Sequence, residues 1–577
     1  MLILDRYSRF VGILAVIGLL TTACAPSTPP SPSLTPPPAA PPPTPASAGA
    51  SPSPTIAVTV TPVARPPTDT RRAAPEAKRG GILVRYQPTD PVSSDTHQET
   101  SALTLWPFAP IYSMLVKPDP QDDTRLVSDL AESWELKDPT QYVFHLRADA
   151  TWHDGIPVTA EDVKFSLDRI VNPPQGVLSP RRSLYSDIIS KVDVVDTRTV
   201  SIRLKFPAAT FLPVISSEWS PILPKHVIEA RGGQMKADPV GSGPFKFKTW
   251  IRGARIELVR NPGYYAKDRP YLDGVMTLVI SEPATQIAAL RTGRVDITAP
   301  GTRGISADEA DILRKEAPNI VIGTTQALSY FGPALRVTDP PFSDIRVRKA
   351  FFLAYNQQEI IDLANPKSGV VAGIFPPTSE WSLPGDELAT IPGVKEVTPA
   401  DITEAKRLMA EAGLSSGVTV NLTVRAQIRP QARAGEVIRQ QMERIGIKVN
   451  VQPVDEAIFF ETATKRTFKV TQVVFNQAVA DPDAYFAGYV SENPTNYMGY
   501  TDKDVDALIA KQSRTQDVTE RKKLVFEIQR KLLNQFLFRP YWSGIYRMAW
   551  WNHVKGFRPP TTCCQTYDTF ADVWLDK

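Results

Sequence analysis

Cysteine is nearly absent. The 577 residues include three, Cys24, Cys563 and Cys564, which excludes a disulfide-stapled scaffold and a cysteine-rich zinc module. Cys563 and Cys564 are neighbours, and a bond between neighbours closes a strained ring, so their redox state stays open. Histidine is scarce as well: His97, His145, His153, His226 and His553 are scattered, with no His-Glu-x-x-His helix. His145 and His153 bracket one turn and suit packing or solvated roles better than metal binding. No Gly-x-Ser-x-Gly elbow and no phosphate loop ending in Gly-Lys-Ser/Thr occurs. An excess of one charge is missing too. There are 65 basic and 61 acidic side chains, and the whole net charge of +4 lies before residue 80. The remainder is neutral and offers no basic field to a nucleic-acid backbone. With 61 acidic residues some carboxylate pair is always at hand, so such a pair alone makes no case for a glycosidase.

What is present begins with an address. Arg6 and Arg9 precede an apolar run from Phe10 to Leu20 that is too short to span a bilayer, a pattern that predicts a secretory leader. The stretch Leu20-Thr21-Thr22-Ala23-Cys24 resembles a bacterial lipoprotein cleavage box, in which the cysteine becomes the lipidated first residue. Residues 25–79 hold 17 prolines among 55 residues, with much Ser, Thr and Ala. Such a stretch cannot build a core and predicts an extended spacer. Residues 1–24 are thus read as a lipoprotein signal peptide and 25–79 as a tether, with no further segment long and apolar enough to cross a membrane.

The folded part opens near Gly80-Gly81 and has material for two or three domains. Ile82 to Tyr86 reads as a strand, and residues 127–147 read as strands after a short helix. A helix capped by Thr159, with Asp162 three residues later, ends at Asn172-Pro173-Pro174. Val192 to Phe206 reads as a hairpin, 221–236 as a helix, and Gly241 and Gly243 as turn chemistry before the strand at Phe245. Trp134, Trp152 and Phe165 suit packing. From 275 to 324 strands and helices alternate, with strands at 275–280, 295–298 and 320–324, an α/β pattern. A third region near Tyr330 carries helices over 346–355, 403–412, 432–445 and 519–538. Its strands fall at 418–424, 449–451, 470–475 and 546–550. The near-continuous apolar run Val470 to Phe475 predicts a strand covered on both faces.

Several segments together resemble one family. They are Asp129-Leu130-Ala131-Glu132-Ser133-Trp134, Trp152-His153-Asp154-Gly155, Pro239-Val240-Gly241-Ser242-Gly243-Pro244-Phe245, Arg260-Asn261-Pro262-Gly263-Tyr264-Tyr265, Ala289 to Ile297, Asp344 to Ala350, and Asp481-Pro482-Asp483. In this order they resemble the solute-binding proteins of ATP-driven (ABC) importers, in the class with oligopeptide-, dipeptide- and nickel-binding proteins, family 5. The resemblance implies an α/β, two-lobed periplasmic-binding-protein-like fold of type II, of the large cluster with an extra subdomain, and a ligand cleft between the lobes. It implies residues 80–112, 232–325 and 546–577 in lobe I, 113–231 as an added subdomain, and 326–545 in lobe II. It also implies capture by hinge closure and delivery to ABC importer permease subunits by an extracytoplasmic, lipid-anchored monomer. No catalysis, cofactor or metal is expected. A tethered hydrolase of glycans or peptides and a ligand sensor not coupled to import are the alternatives.

The ligand is where the chain departs from that family. Peptide-binding members resemble Trp-x-Ala-Asp-Tyr-x-Asp-Pro before the Asp-Pro motif, with the aspartate pairing the ligand's amino group. Here the run is Phe475-Asn476-Gln477-Ala478-Val479-Ala480-Asp481-Pro482, which places Ala478 at the aspartate. An enclosed ammonium without a counter-charge is costly. A peptide amino terminus is therefore disfavoured there, although Asp481 or Asp483 could substitute, and an oligosaccharide or opine-like solute becomes comparable. Candidate contacts are Thr104, Trp106, Tyr330, Phe331, Trp381, Phe475, Asn476, Gln477, Asp481 and Asp483, aromatic platforms with neutral or acidic polar groups.

Overall fold

The computed structural model describes residues 76–99, 101–120, 122–235, 238–299, 304–426, 428–475, 480–559 and 570–577. The leader, Cys24, nearly all of the spacer, Asn476, Gln477, Ala478, Cys563 and Cys564 lie outside them.

Strand β1 (Ile82–Gln87) is followed by the hairpin β2 (Val116–Asp119) and β3 (Asp122–Ser128). Strands β4 (Ala131–Asp138), β5 (Gln141–Leu146), β6 (Ile189–Asp196) and β7 (Thr199–Leu204) make a separate antiparallel sheet, ordered β4-β5-β7-β6. Strands β8 (Phe245–Ile251), β9 (Arg255–Arg260) and β10 (Gly274–Val279) then join β1 in the order β1-β10-β9-β8, with β1 and β10 parallel. The long strand β11 (Ile320–Leu335) belongs to a six-stranded sheet with β12 (Gly369–Val370), β13 (Val418–Arg425), β14 (Ile447–Val454), β15 (Val470–Phe475) and β16 (Trp542–Trp551). A ribbon of β17 (Val554–Lys555) and β18 (Trp574–Leu575) completes the set.

Strand direction decides where the halves meet. Ile297 bridges Arg85 in parallel and Trp550 antiparallel, and β16 runs antiparallel to β11. It follows that β1 points the same way as β11. On the far side β15 is antiparallel to β11, and β13 and β14 run parallel with β15. The carboxyl ends of β1 and β10 therefore point toward the second sheet, and those of β13, β14 and β15 point back. Between them β11 and β16 run on continuously, with one irregularity: Gln326 pairs with Ile545 and Tyr330 with Ser543, so residues 327–329 lie against Gly544 alone.

Each part has its own core. Leu83, Phe245, Val275 and Ile297 pack with Met548 and Val573 around the first sheet. Phe144, Trp152, Leu167, Ile202 and Phe211 fill the β4–β7 sheet. The second sheet is covered on both faces, because adjacent residues of a strand point to opposite sides. Leu335 and Val470 enter one core, and Ala334 and Val473 the other. That is why Val470 to Phe475 reads as nearly continuous apolar sequence.

Several sequence expectations change. The helix read over 221–236 is confined to Lys225–Ala230, since Pro221 and Pro224 precede it and Gly232 and Gly233 follow with φ of 72° and 87°. The short helix before residue 127 is Ala102–Phe108, and the β2–β3 hairpin lies between it and β4. The strand read over 295–298 reduces to single bridges at Ile297. The strand read over 320–324 runs on to Leu335, and the last helix stops at Leu533. The helix after Thr159 is as expected, with the Asp162 carboxylate accepting from the Thr159 amide at 2.9 Å. Gly241 and Gly243 serve close approach rather than a turn: a Cβ at Gly241 would lie 2.1 Å from the Ile111 carbonyl oxygen.

Candidate functional site

In open α/β sheets ligands sit outside the carboxyl ends of parallel strands. Here two such sets of ends oppose each other across the β11–β16 crossing, so the residues at those ends are the natural place to look for a site.

On the first side β1 ends at Gln87, which is fully buried. Its Nε2 donates to the Thr89 carbonyl at 2.8 Å, while Oε1 has no partner. The chain then folds back through Asp95, whose carboxylate takes two bonds from Arg169 at 3.0 and 2.6 Å. Next to it His97 faces the Pro221 carbonyl through Nε2 at 2.9 Å. A carbonyl only accepts, so Nε2 carries the proton, and Nδ1 is buried without a partner. Burial pulls this imidazole down to about 4. Trp106 lies in the helix Ala102–Phe108 and packs with Tyr86, Ile280, Val295 and Ala299, over the ends of β1 and β10. Thr104 is fully buried, and its hydroxyl meets no partner.

At the crossing Tyr330 is buried, stacked on Tyr485 with ring centres 5.7 Å apart and tilted against Phe538 at 5.4 Å. The Tyr485 hydroxyl donates to the Leu328 carbonyl at 3.2 Å, tying the irregular stretch of β11 to the helix Pro482–Phe486. Phe331, one residue on, packs on the opposite face. Phe475 stands in register opposite Tyr330, and its side chain is outside the described residues.

Trp381 shares the core of Tyr330. The guanidinium of Arg521 lies 5.3 Å from its ring centre, and its carbonyl accepts from Gln529 Nε2 at 2.8 Å. Arg521 also meets Asp481, with Nη1 and Nη2 donating to Oδ2 and Oδ1 at 2.8 and 2.7 Å. Asp481 in addition caps its helix by accepting from the Asp483 amide at 3.0 Å. Asp483 accepts from Ser513 Oγ at 2.6 Å and from Gln512. Burial, and after it the charge of Asp481, push its carboxyl up to about 6. The structure therefore brings Tyr330, Trp381, Asp481 and Asp483 into one half, engaged with each other and with Arg521. Trp106 stands in the other half.

Two cations escape sequence inspection. Arg425 ends β13 and is half-buried, with its guanidinium 5.8 and 5.9 Å from the ring centres of Phe459 and Phe460. Arg521 sits on the same face of its helix as Val525, Ile528 and Leu532. The signal for it was present, a charge on an otherwise apolar stripe. Among the described residues no helix is long and apolar enough to cross a membrane.

This mixed α/β architecture sets two sheets with opposed strand ends across a pair of continuous strands. Comparison with known proteins identifies its class. The family described as Bacterial extracellular solute-binding proteins, family 5 Middle, matches residues 125–497, and the chain belongs to that family of ABC-importer binding proteins. It is 27% identical over 424 residues to the periplasmic oligopeptide-binding protein OppA of Salmonella typhimurium, covering 70% of this chain and 76% of that protein. Its fold is similar to that of the periplasmic binding protein DppA of Helicobacter pylori, solved with the peptide STSA, with a TM-score of 0.70 and 25% identity over 87% of this chain and 99% of that one. It is equally similar to AgaA from A. tumefaciens R10, solved with agropinic acid, with a TM-score of 0.70 and 26% identity over 86% and 99% of the two chains.

Proposed function

We propose that this chain captures one small polar solute between its lobes, closes on it by rotation about the β11–β16 crossing, and delivers it unchanged to the permease subunits of an ABC importer. The observation that carries the reading is the opposition of strand ends across a crossing made, among the described residues, of β11 and β16. A ligand held there touches both halves only when they close, so it shifts the population toward the closed form without covalent chemistry. In this reading lobe I comprises 80–112, 232–325 and 546–577, the added subdomain 113–231, and lobe II 326–545. The irregularity at 327–329 is the hinge.

The solute is an oligopeptide or an oligosaccharide-like or opine-like compound. Ala478 stands where a counter-charge for a peptide amino group is expected, and Asp481 and Asp483 are committed to Arg521, Gln512 and Ser513. Both facts favour a solute without a free ammonium at that end. Arg425, at the end of β13, suits an anionic group on it. Relatives of comparable similarity were solved with a peptide and with agropinic acid, so both classes belong in the screen. Trp106, Phe475, Asn476 and Gln477 are the remaining contact candidates.

Cys24 is the lipidation site, and residues 25–79 hold the binding protein away from the membrane that anchors it. Metabolic labelling with a radioactive fatty acid is expected to mark the wild-type chain and not a C24S variant.

Native mass spectrometry of the purified chain tests the capture reading. One solute per protein, displaced intact on mild activation, is expected, followed by calorimetry with peptides, oligosaccharides and opines. Release of several altered product molecules per protein would overturn capture in favour of hydrolysis. A bound solute with no effect of gene deletion on uptake would indicate sensing instead.

A further inference from the structure

Outside the crossing strands, one corner of the β4–β7 sheet touches the second half. The amide of Ala209 donates to the Ser513 carbonyl at 2.9 Å. The guanidinium of Arg514 lies 5.2 Å from the ring centre of Phe206, and Gln516 Nε2 reaches the Pro139 carbonyl at 3.5 Å. Phe206 and Ala209 follow β7, and Pro139 is in the β4–β5 turn. These two loops are joined by the Leu204 amide bonding to the Thr140 carbonyl at 2.7 Å. The contact thus comes from one rigid corner.

Its counterpart is equally fixed. Residues 513–516 run from the last residue of the helix Lys503–Ser513 into the turn before the helix Val518–Leu533. Ser513 Oγ donates to Asp483 at 2.6 Å, Gln512 donates to Asp483, and Arg521 Nε donates to Gln512 Oε1 at 3.0 Å. Arg521 in turn holds Asp481. The two carboxylates of the Asp481-Pro482-Asp483 segment therefore brace a turn that reaches across to the other half.

We propose that this turn, residues 513–516, is a closure strap: it holds the subdomain of residues 113–231 against lobe II and sets how readily the halves part, with Asp481 and Asp483 as its anchor. The proposal rests on the capture reading above, since it presumes halves that open. Two strands fix one axis, and a contact away from that axis is what resists rotation about it. The strap is small, one main-chain hydrogen bond and one cation–π contact with a marginal amide contact. It biases the equilibrium without locking it, as a protein that must also release its solute requires. A cation–π contact at a partly exposed site shifts such an equilibrium by about two- to fivefold.

Hydrogen exchange on the full chain tests this with Arg514→Ala and, as the conservative control, Arg514→Lys. Arg514 is a partly exposed cap residue, so both variants are expected to fold. Loss of the strap should speed exchange by about two- to fivefold in two places, the amide of Ala209 and the strand-end peptides 87–99 and 425–430, and R514K should restore much of the protection. Faster exchange confined to 205–210 would overturn the proposal by making the contact purely local, and unchanged exchange everywhere would overturn it as well. The capture reading fails separately, by native mass spectrometry finding no bound solute. A chain that holds solute while its strand ends ignore R514A refutes the strap alone.

Discussion

Arg521 grips Asp481 at both carboxylate oxygens, at 2.8 and 2.7 Å, from a helix forty residues further along the chain. Both side chains are 5% exposed. The guanidinium is further occupied by Gln512 at 3.0 Å and by the face of Trp381. All three guanidinium nitrogens and both carboxylate oxygens have a partner, the condition under which a buried ion pair is tolerated.

Removing one partner leaves the other charged and enclosed. Arg521→Ala is expected to lower the unfolding free energy by about 3–5 kcal/mol, and replacing both partners with apolar residues of similar volume should cost less than the single change. Urea unfolding followed by tryptophan fluorescence measures both. A single variant as stable as wild type would show that the pair is solvated.

Asp483 gives a pH signature. Its folded carboxyl is raised to about 6 against an ordinary value near 4, so between these values the folded chain holds more protons than the unfolded one. Its contribution to stability is therefore greatest below about pH 4 and is lost as pH rises to about 6. Asp483→Asn keeps an acceptor for Gln512 and removes the titration. The decline over that window should be shallower in the variant, read from urea midpoints at pH 4, 5, 6 and 7.

His97 works in the opposite direction. Burial lowers its folded value to about 4, below the ordinary imidazole value near 6.5, so the unfolded chain binds the proton first. The stability it confers is complete above about pH 6.5 and is lost as pH falls toward 4, on the order of 3 kcal/mol in all. His153 behaves alike, also lowered to about 4 by burial, with Nε2 facing the Gly243 carbonyl at 3.1 Å. His97→Gln retains a donor toward Pro221. It should lose less stability than wild type between pH 7 and pH 5, and an equal loss would remove His97 from the acid response.

Gly332 lies in β11, just past the crossing. A Cβ there would stand 1.9 Å from the Arg539 carbonyl oxygen and 2.8 Å from Pro540 Cα. Backbone has no rotamer with which to yield, so Gly332→Ala must push β11 away from residues 539–540 and strain the Tyr541 amide bond to the Phe331 carbonyl. A loss of about 2–3 kcal/mol is expected, in the range of overpacked cores, together with weaker solute retention in native mass spectrometry. A variant with wild-type stability would mean that the crossing is looser than its packing indicates.

Much of the fold was legible because its signals are local. The strand at Ile82, the Thr159–Asp162 cap, and the helix at Ile345–Ala354 all follow from periodicity and caps within a few residues. The continuity of β11 was not legible. The polar and small residues around Gln326 to Ser329 break the apolar pattern, and what carries the strand across them is the pairing on either side, Gln326 with Ile545 and Tyr330 with Ser543 of β16, some two hundred residues away. The same limit governs Asp481 and Asp483. They sit in a segment that suits ligand contact, and only the fold brings Arg521, Gln512 and Ser513 to them. Arg425 drew no notice because one arginine at the end of an apolar strand has no distinctive spacing.

The placement of β16 bears on synthesis. It lies between β12 and β11 in one sheet, and through Trp550 it meets Ile297 at the border of the other. The neighbouring Asp296 accepts from the Val84 amide at 2.8 Å and meets His553, 257 residues downstream, at 2.9 Å. A ribosome must therefore deliver residues 542–551 before the six-stranded sheet can be finished and before Met548 and Trp550 can enter the core around the first sheet. Until then the nascent polypeptide has two halves that both wait on the same late strand.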